Sequence, residues 1–242
     1  MIKFFRKIRY DLMKKNKTGK YLKYAIGEIL LVVIGILIAL QINNWNEERK
    51  AKAQERDILL EIKDNLHADI NNFRDRIDDG NQTVNYIDLL IKHIEEKKEY
   101  NDSLARYFFI PVLMEGFNNS TSGYETLKSM GIEKVNSNLI KKSLANYYDV
   151  RCKNFLNVVD LKNMDNTRSM SQYNKENFRR ITFSDKNSGF IPLYYDELKN
   201  DQFYINYLYE RKGYKLRTYI RFLEQIIPEC NSIIENIEKE LN

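Results

Sequence analysis

The chain has 242 residues, of which 43% are hydrophobic and 30% are charged, and its formal net charge is +5. Residues 1–24 hold nine lysines and arginines against one aspartate, a surplus of eight, so the remaining residues have a net charge of −3. A basic tail on a slightly acidic chain argues against a nucleic-acid-binding protein. Only three prolines and nine glycines interrupt many strong helix formers, which predicts an all-α fold.

The basic tail, residues 1–24, has an amphipathic pattern. Its apolar residues recur at steps of three or four, at Ile2, Phe5, Ile8 and Leu12. A helix of this kind lies on an anionic membrane surface, where each basic residue contributes about 1 kcal/mol. We therefore expect the tail to lie on the cytoplasmic face of a membrane.

A strictly apolar segment, Ile29 to Leu40, follows the tail. Extended to residues 25–45, it forms a helix about 31 Å long, which matches a hydrocarbon layer of about 30 Å. Tyr24 and Trp45 flank the segment as aromatic residues do at membrane interfaces. The sequence predicts a transmembrane helix at 25–45 and the lipid bilayer as a partner.

A cleaved signal peptide is the main alternative for this segment. Its basic region would be unusually long, and Gln41 stands where a cleavage site needs a small residue. We therefore expect the helix to remain as an anchor. Because basic flanks stay in the cytoplasm, the N-terminus is predicted inside and residues 46–242 outside.

Glu28 is the one acid near the apolar segment. An acid within a membrane helix is a candidate functional residue, here for an interaction. The alternative is a side chain that reaches the interface or pairs with another helix.

Residues 46–57 are polar on all sides, which predicts a solvated stalk, and residues 58–242 are predicted to form a helical bundle domain. An apolar stripe from Leu59 to Ile77 indicates a first helix that ends near Gly80. A second helix, about 83–99, is expected to return antiparallel to it.

A short helix is predicted at 123–130, after an irregular apolar region. Ser122 and Glu125 have the spacing of a capping box, and Gly131 has the position of a C-terminal cap.

The chain after residue 137 predicts two more long helices. One begins at about residue 138, and a loop at 183–193 precedes the other. The final helix has apolar residues at alternating steps of three and four up to Leu241, with Pro228 off that face, where it should kink the helix without ending it. Four long helices predict a four-helix-type bundle that continues from the transmembrane helix through the stalk.

Two segments resemble a known family. The segment 19–47, GKYLKYAIGEILLVVIGILIALQINNWNE, resembles the N-terminus of a family of uncharacterised single-pass membrane proteins of Gram-negative bacteria, and 122–131, SGYETLKSMG, is similar to its second recurrent segment. The resemblance implies an inner-membrane protein with a helical periplasmic domain. No reaction is assigned to that family, so the resemblance implies no catalytic residue.

The two histidines, His67 and His93, are a weak candidate for a metal site. Each would lie thirteen residues from Gly80 in an antiparallel helix pair, so the two could approach each other. No helical His-x-x-x-His spacing supports zinc binding, and two unrelated histidines are the simpler interpretation. We predict no metal site and no cofactor.

Cys152 and Cys230 both lie on apolar helix faces. In an oxidising periplasm they are a candidate disulfide; the alternative is a pair of buried thiols.

Tyrosines and basic residues crowd the approach to the last helix, among them Tyr207, Arg211 and Tyr214. These residue types suit a recognition surface, although an aromatic core with solvated charge is the simpler interpretation. Tyr124 and Glu125, in the second family-like segment, are further candidates for a contact site.

The sequence contains no recognisable catalytic triad, phosphate-binding loop or kinase motif, so no enzymatic activity is expected. The leading hypothesis is a membrane-tethered helical module that binds a protein partner or forms a homo-oligomer. A periplasmic ligand sensor that signals through a partner is the alternative, and a metal-dependent hydrolase built on the two histidines is the third.

Overall fold

The computed structural model describes residues 10, 18–184 and 187–241. The apolar positions predicted for the tail, Ile2, Phe5, Ile8 and Leu12, lie outside the described residues. The chain divides into two compact units, Met1–Glu55 and Arg56–Asn242. The predicted boundaries at residues 24, 45 and 57 stay predictions.

Helices dominate the described residues, which confirms the predicted all-α class. The α-helices are α1 (Thr18–Glu95), α2 (Ala105–Phe109), α3 (Ser122–Met130), α4 (Asn138–Ala145), α5 (Lys153–Asn177), α6 (Tyr195–Leu198), α7 (Gln202–Tyr214) and α8 (Arg221–Leu241). Short 3₁₀ turns lie at Asp102–Leu104, Ile110–Val112 and Ile132–Lys134. Two π-helical segments, π1 (Asn146–Cys152) and π2 (Lys215–Ile220), connect α4 to α5 and α7 to α8.

Helix α1 contains the apolar segment predicted to cross a membrane. It is the one described helix long and apolar enough to do so, with a mean hydropathy of 2.6 in its most apolar window. The large side chains of this segment are exposed; Leu31, for example, is 62% exposed. Length and composition are therefore those of a membrane span or a signal sequence.

The predicted helix end at Gly80 is wrong, because α1 continues to Glu95. The predicted antiparallel second helix at 83–99 is wrong for the same reason, since most of it continues α1 in the same direction. A glycine inside a helix costs about 1 kcal/mol, which is small against the burial of apolar residues on both sides of it. Phe73 before Gly80 and Ile87 after it are both buried. Gly80 also packs closely on the second half of the domain, since a Cβ atom there would lie 3.0 Å from Cγ1 of Ile220.

The core of the second unit consists of two apolar clusters. The first surrounds the Leu59–Ile77 stripe of α1 and includes Leu144, Phe155 and Leu223. The second surrounds Ile87, Leu90 and Ile94, and half of its other buried members are aromatic. The stripes predicted on α1 and α8 are thus confirmed as core faces, and Pro228 lies within α8, as predicted.

The loop predicted at 183–193 is wrong in part, because it contains a strand. β1 (Phe178–Thr182) pairs antiparallel with β2 (Ser188–Pro192), from Phe178 opposite Pro192 to Thr182 opposite Ser188. The hairpin forms because Phe178 and Phe190 stack at 5.4 Å and join the second cluster.

Helix α3 lies at the predicted position and ends at Gly131, whose φ of 98° favours glycine. The predicted capping box is wrong, because Thr121 is the N-cap residue and its side chain makes no capping hydrogen bond. The hydroxyl of Ser122 instead donates to Oδ1 of Asn65, 2.9 Å away on α1. This contact ties the family-like segment to the first helix.

Candidate functional site

A cavity of about 350 Å³ lies within the second unit, between α1, the chain around residues 110–116 and the segment π2. Its volume is in the range of small-molecule sites. Its lining residues are Arg76, Asp79, Gly80, Gln82, Thr83, Tyr86, Ile110, Leu113, Met114, Glu115, Gly116, Lys215 and Tyr219.

Helix α1 forms one wall of the cavity. Arg76, Asp79, Thr83 and Tyr86 recur at steps of three and four, which places them on one face of the helix. Gly80 lies on the same face, where the absence of a side chain lets Ile220 approach.

The segment π2 supplies the opposite wall, with Lys215 and Tyr219. The hydroxyl of Tyr219 donates to the carbonyl oxygen of Gly116 at 2.5 Å, which fixes the 110–116 segment against π2. Single π turns inside α-helices occur frequently at functional sites. The position of this one, at a cavity with charged residues, marks the cavity as the candidate site.

A buried charge cluster lies behind the cavity. The Glu115 side chain is 1% exposed, and its oxygens accept hydrogen bonds from Nη2 of Arg211 at 3.0 and 3.1 Å. Nζ of Lys215 lies 2.7 Å from the same carboxylate. Burial lowers the pKa of Lys215, an effect that the Glu115 carboxylate opposes. With two cations around one buried carboxylate, the cluster itself carries a net positive charge.

Arg211 also fixes the backbone of the cavity wall. Its Nε donates to the carbonyl oxygen of Pro111 at 2.9 Å, and Nη2 donates to that of Leu113 at 3.1 Å. The hydroxyl of Tyr207 donates to the Pro111 carbonyl at 2.7 Å. Tyr207, Arg211 and Tyr214 are all buried, so they lie inside the protein and not on an exposed recognition surface.

Of the two other predicted contact residues, Tyr124 is buried and Glu125 is exposed. Tyr124 is buried, stacks on Tyr148 at 4.4 Å, and donates from its hydroxyl to Oδ2 of Asp149 at 2.6 Å. Burial and this hydrogen bond raise the pKa of Tyr124. Glu125 is exposed and forms an ion pair with Lys128 at 3.7 Å.

Cys152 and Cys230 are both buried in the first cluster. Both interact with the side chain of Tyr147, so π1 and α8 bring them to the same part of the core. Burial raises the pKa of each thiol to about 12. The disulfide between them stays a prediction.

The proposed approach of His67 and His93 is wrong, because both lie on the continuous helix α1. Twenty-six residues of helix separate them by about 39 Å. His67 is exposed, and Nε2 of His93 lies 2.9 Å from the carbonyl oxygen of Glu99. The described residues contain no group of three or more His, Cys, Asp or Glu that could hold a metal ion.

Glu28 lies half-buried on α1, within the unit that contains the apolar segment. Its interaction role stays a prediction.

Sequence reasoning missed most of the residues around the cavity. Arg211 was singled out, but Glu115, its partner, lies 96 residues earlier in an irregular segment without a motif. Arg76 and Asp79 resemble ordinary surface charges of an amphipathic helix. No local signal identifies them, because the cavity forms only when distant segments pack.

Fold and composition together define an all-α protein with one helix that is long and apolar enough to cross a membrane. The chain belongs to DUF6090, a family of unknown function whose sequence model matches residues 28–188. That range includes the α1 wall of the cavity and Glu115, whereas Arg211 and Lys215 lie beyond it. No curated protein and no solved structure matches the chain.

Proposed function

We propose that this protein is a membrane-anchored, non-catalytic helical module of the bacterial inner membrane, whose periplasmic domain binds another protein. The observation that carries the proposal is an apolar strip on the outer surface of α5. Val158, Leu161 and Met164 recur there at steps of three, and they are 38%, 65% and 50% exposed.

The strip lies on the opposite side of α5 from the face that enters the core. Phe155, Val159 and Met170 form that inner face, and all three are buried. A helix with a second apolar face, exposed to water, is typical of a surface that a partner covers. We infer that this strip contacts the partner.

The anchor and its direction support the membrane location. The apolar segment Ile29–Leu40 would be unfavourable in water and favourable in lipid, by about 0.3 to 0.6 kcal/mol for each Leu, Ile or Val. The basic residues before it favour a cytoplasmic N-terminus. Fusions of alkaline phosphatase and of green fluorescent protein to the C-terminus test this topology: only the phosphatase should be active.

Chemical cross-linking in intact membranes tests the interaction. We expect a cross-linked species larger than the monomer, and we expect Leu161→Glu to reduce it strongly, because a charge in the strip must be desolvated on binding. Thr167→Glu, on another exposed part of the same helix, is the matched control and should leave the species unchanged. A monomer as the sole species in intact membranes, or equal yields from both variants, would contradict the proposal.

The cavity favours a second function for the same domain, the binding of a small ligand as a sensor that signals through a partner. A site-sized cavity with charged walls, a buried charge cluster and a π segment supports it.

A further inference from the structure

We propose that the cavity binds a free amino acid with an apolar side chain. This proposal rests on the small-ligand function proposed above and names the ligand. The carboxylate would lie near Arg76 and Lys215, and the ammonium group near Asp79.

The lining carries charges of both signs, but they are not equally available. Glu115 is enclosed by Arg211 and Lys215 and is 1% exposed, so it is committed to the protein. Asp79 is exposed and has no hydrogen bond or ion pair within the described residues. Asp79 is therefore the carboxylate of the lining that a ligand can reach.

The cationic groups have unused donors. The Lys215 ammonium has three hydrogens and one ion-pair partner, Glu115, while the charge of Asp79 also acts on it. Arg76 has five N–H donors, of which Nε donates to Asn72 at 3.1 Å and Nη2 to Asn118 at 3.0 Å, and its side chain also hydrogen-bonds that of Tyr219. Its Nη1 lies beside Gly116, 3.4 Å from the place that a Cβ atom would occupy there.

The spacing of these groups fits a ligand with both charges close together. Arg76 and Asp79 are three residues apart on one helix face, with Cβ atoms about 5 to 6 Å apart. No ion pair joins them in the described part of the chain, so the two charges do not neutralise each other directly. A simple anion would face Asp79 and a simple cation would face Lys215, whereas an amino acid satisfies both signs.

The remaining wall is apolar and aromatic. Ile110, Leu113 and Met114 line the cavity beside Tyr86, whose ring stacks on Tyr107 at 5.2 Å. This wall suits a branched or aromatic side chain, because such sites combine an apolar lining with a few polar groups that set orientation.

Isothermal titration calorimetry on the full-length protein in detergent tests the inference with three matched ligands. They are leucine, isocaproate, which lacks the amine, and isoamylamine, which lacks the carboxylate. We expect leucine to bind about tenfold more tightly than either analogue, because each analogue loses one charge-assisted hydrogen bond and such a bond changes the dissociation constant by about this factor.

Asp79→Asn should weaken leucine binding about tenfold and leave isocaproate binding no weaker. Asp78→Asn is the control, because Asp78 is an adjacent exposed acid outside the lining, and it should bind leucine as the wild type does. Neither exposed position is expected to affect folding, and equal melting temperatures of the free variants check this.

The other results separate the inference from the function on which it rests. If isocaproate or inorganic phosphate binds and Asp79→Asn has no effect, the amino-acid assignment is wrong while a small-ligand function stands. If leucine, phenylalanine, both analogues and phosphate all fail to bind, both are overturned.

Discussion

The hydroxyl of Tyr147 donates a hydrogen bond of 2.7 Å to Oδ2 of Asp69, which joins π1 to α1 inside the core. The other carboxylate oxygen, Oδ1, accepts from the backbone N–H of Ser120 at 2.7 Å. Asp69 is 1% exposed and has no cation among these partners. Burial therefore raises the pKa of Asp69 above its usual value of 3.8, although both hydrogen bonds oppose the shift.

This shift predicts a pH dependence of stability. Between the unfolded pKa of about 3.8 and the higher folded pKa, the folded state holds the proton more tightly, so stability is lost as the pH rises through that window. Asp69→Asn removes the titration and keeps similar hydrogen-bonding atoms. We expect the free energy of unfolding of the wild type, relative to Asp69→Asn, to fall from pH 3 to pH 7. Denaturant titrations of the full chain in detergent measure it, and a difference that is flat or rises with pH would contradict the shift.

The buried charge cluster predicts a large cost for loss of Arg211. Arg211→Met leaves Glu115 buried with only Lys215 as a cationic partner, which should destabilise the protein by about 3 kcal/mol or more. Lys162→Met is the control, because Lys162 forms an exposed pair with Glu210 at 3.7 Å, and it should cost less than about 1 kcal/mol. Similar unfolding midpoints for the two variants would mean that the Glu115 cluster is not buried as described.

Two helical glycines predict opposite effects of alanine. A Cβ atom at Gly123 would lie 3.0 Å from the backbone nitrogen of Ile62, so Gly123→Ala should push α3 from α1 and cost about 1 to 3 kcal/mol. At Gly213 the contact is with the end of the flexible Arg217 side chain, which can move away. Gly213→Ala should therefore be neutral or stabilise the helix by up to about 1 kcal/mol. Thermal unfolding of both variants decides this, and a stabilising Gly123→Ala would refute the close approach of α3 to α1.

The two cysteines predict slow alkylation in the folded state. Burial raises the pKa of Cys152 and Cys230 to about 12, so little thiolate forms at pH 8 and iodoacetamide has no access. We expect both to react only after unfolding, as counted by mass spectrometry of the intact chain. If the unfolded protein is labelled only after a reductant is added, the two cysteines form the disulfide instead. Rapid labelling of the folded chain would contradict their burial. Asp57→Cys, at an exposed position, provides a reactive control.

Some of this structure follows from local sequence pattern. The stripe from Leu59 to Ile77, the short helix before Gly131 and the apolar face of α8 are all found where periodicity predicted them. Periodicity succeeds in these cases because burial of one helix face is the dominant local constraint. The apolar segment Ile29–Leu40 is equally evident, since hydropathy alone defines it.

Tertiary packing decided the rest. The sequence alone could not show that α1 continues past Gly80, because the compensation comes from Ile220, which is 140 residues away along the chain and fills the space left by the glycine. Nor could it show that Glu115 would be enclosed by Arg211 and Lys215, or that π2 would complete a cavity with α1. Whether a segment is helical, and which of its faces is apolar, depends on residues close together in the sequence. A buried charge or a cavity depends on which distant segments meet, and only the folded chain brings those segments together.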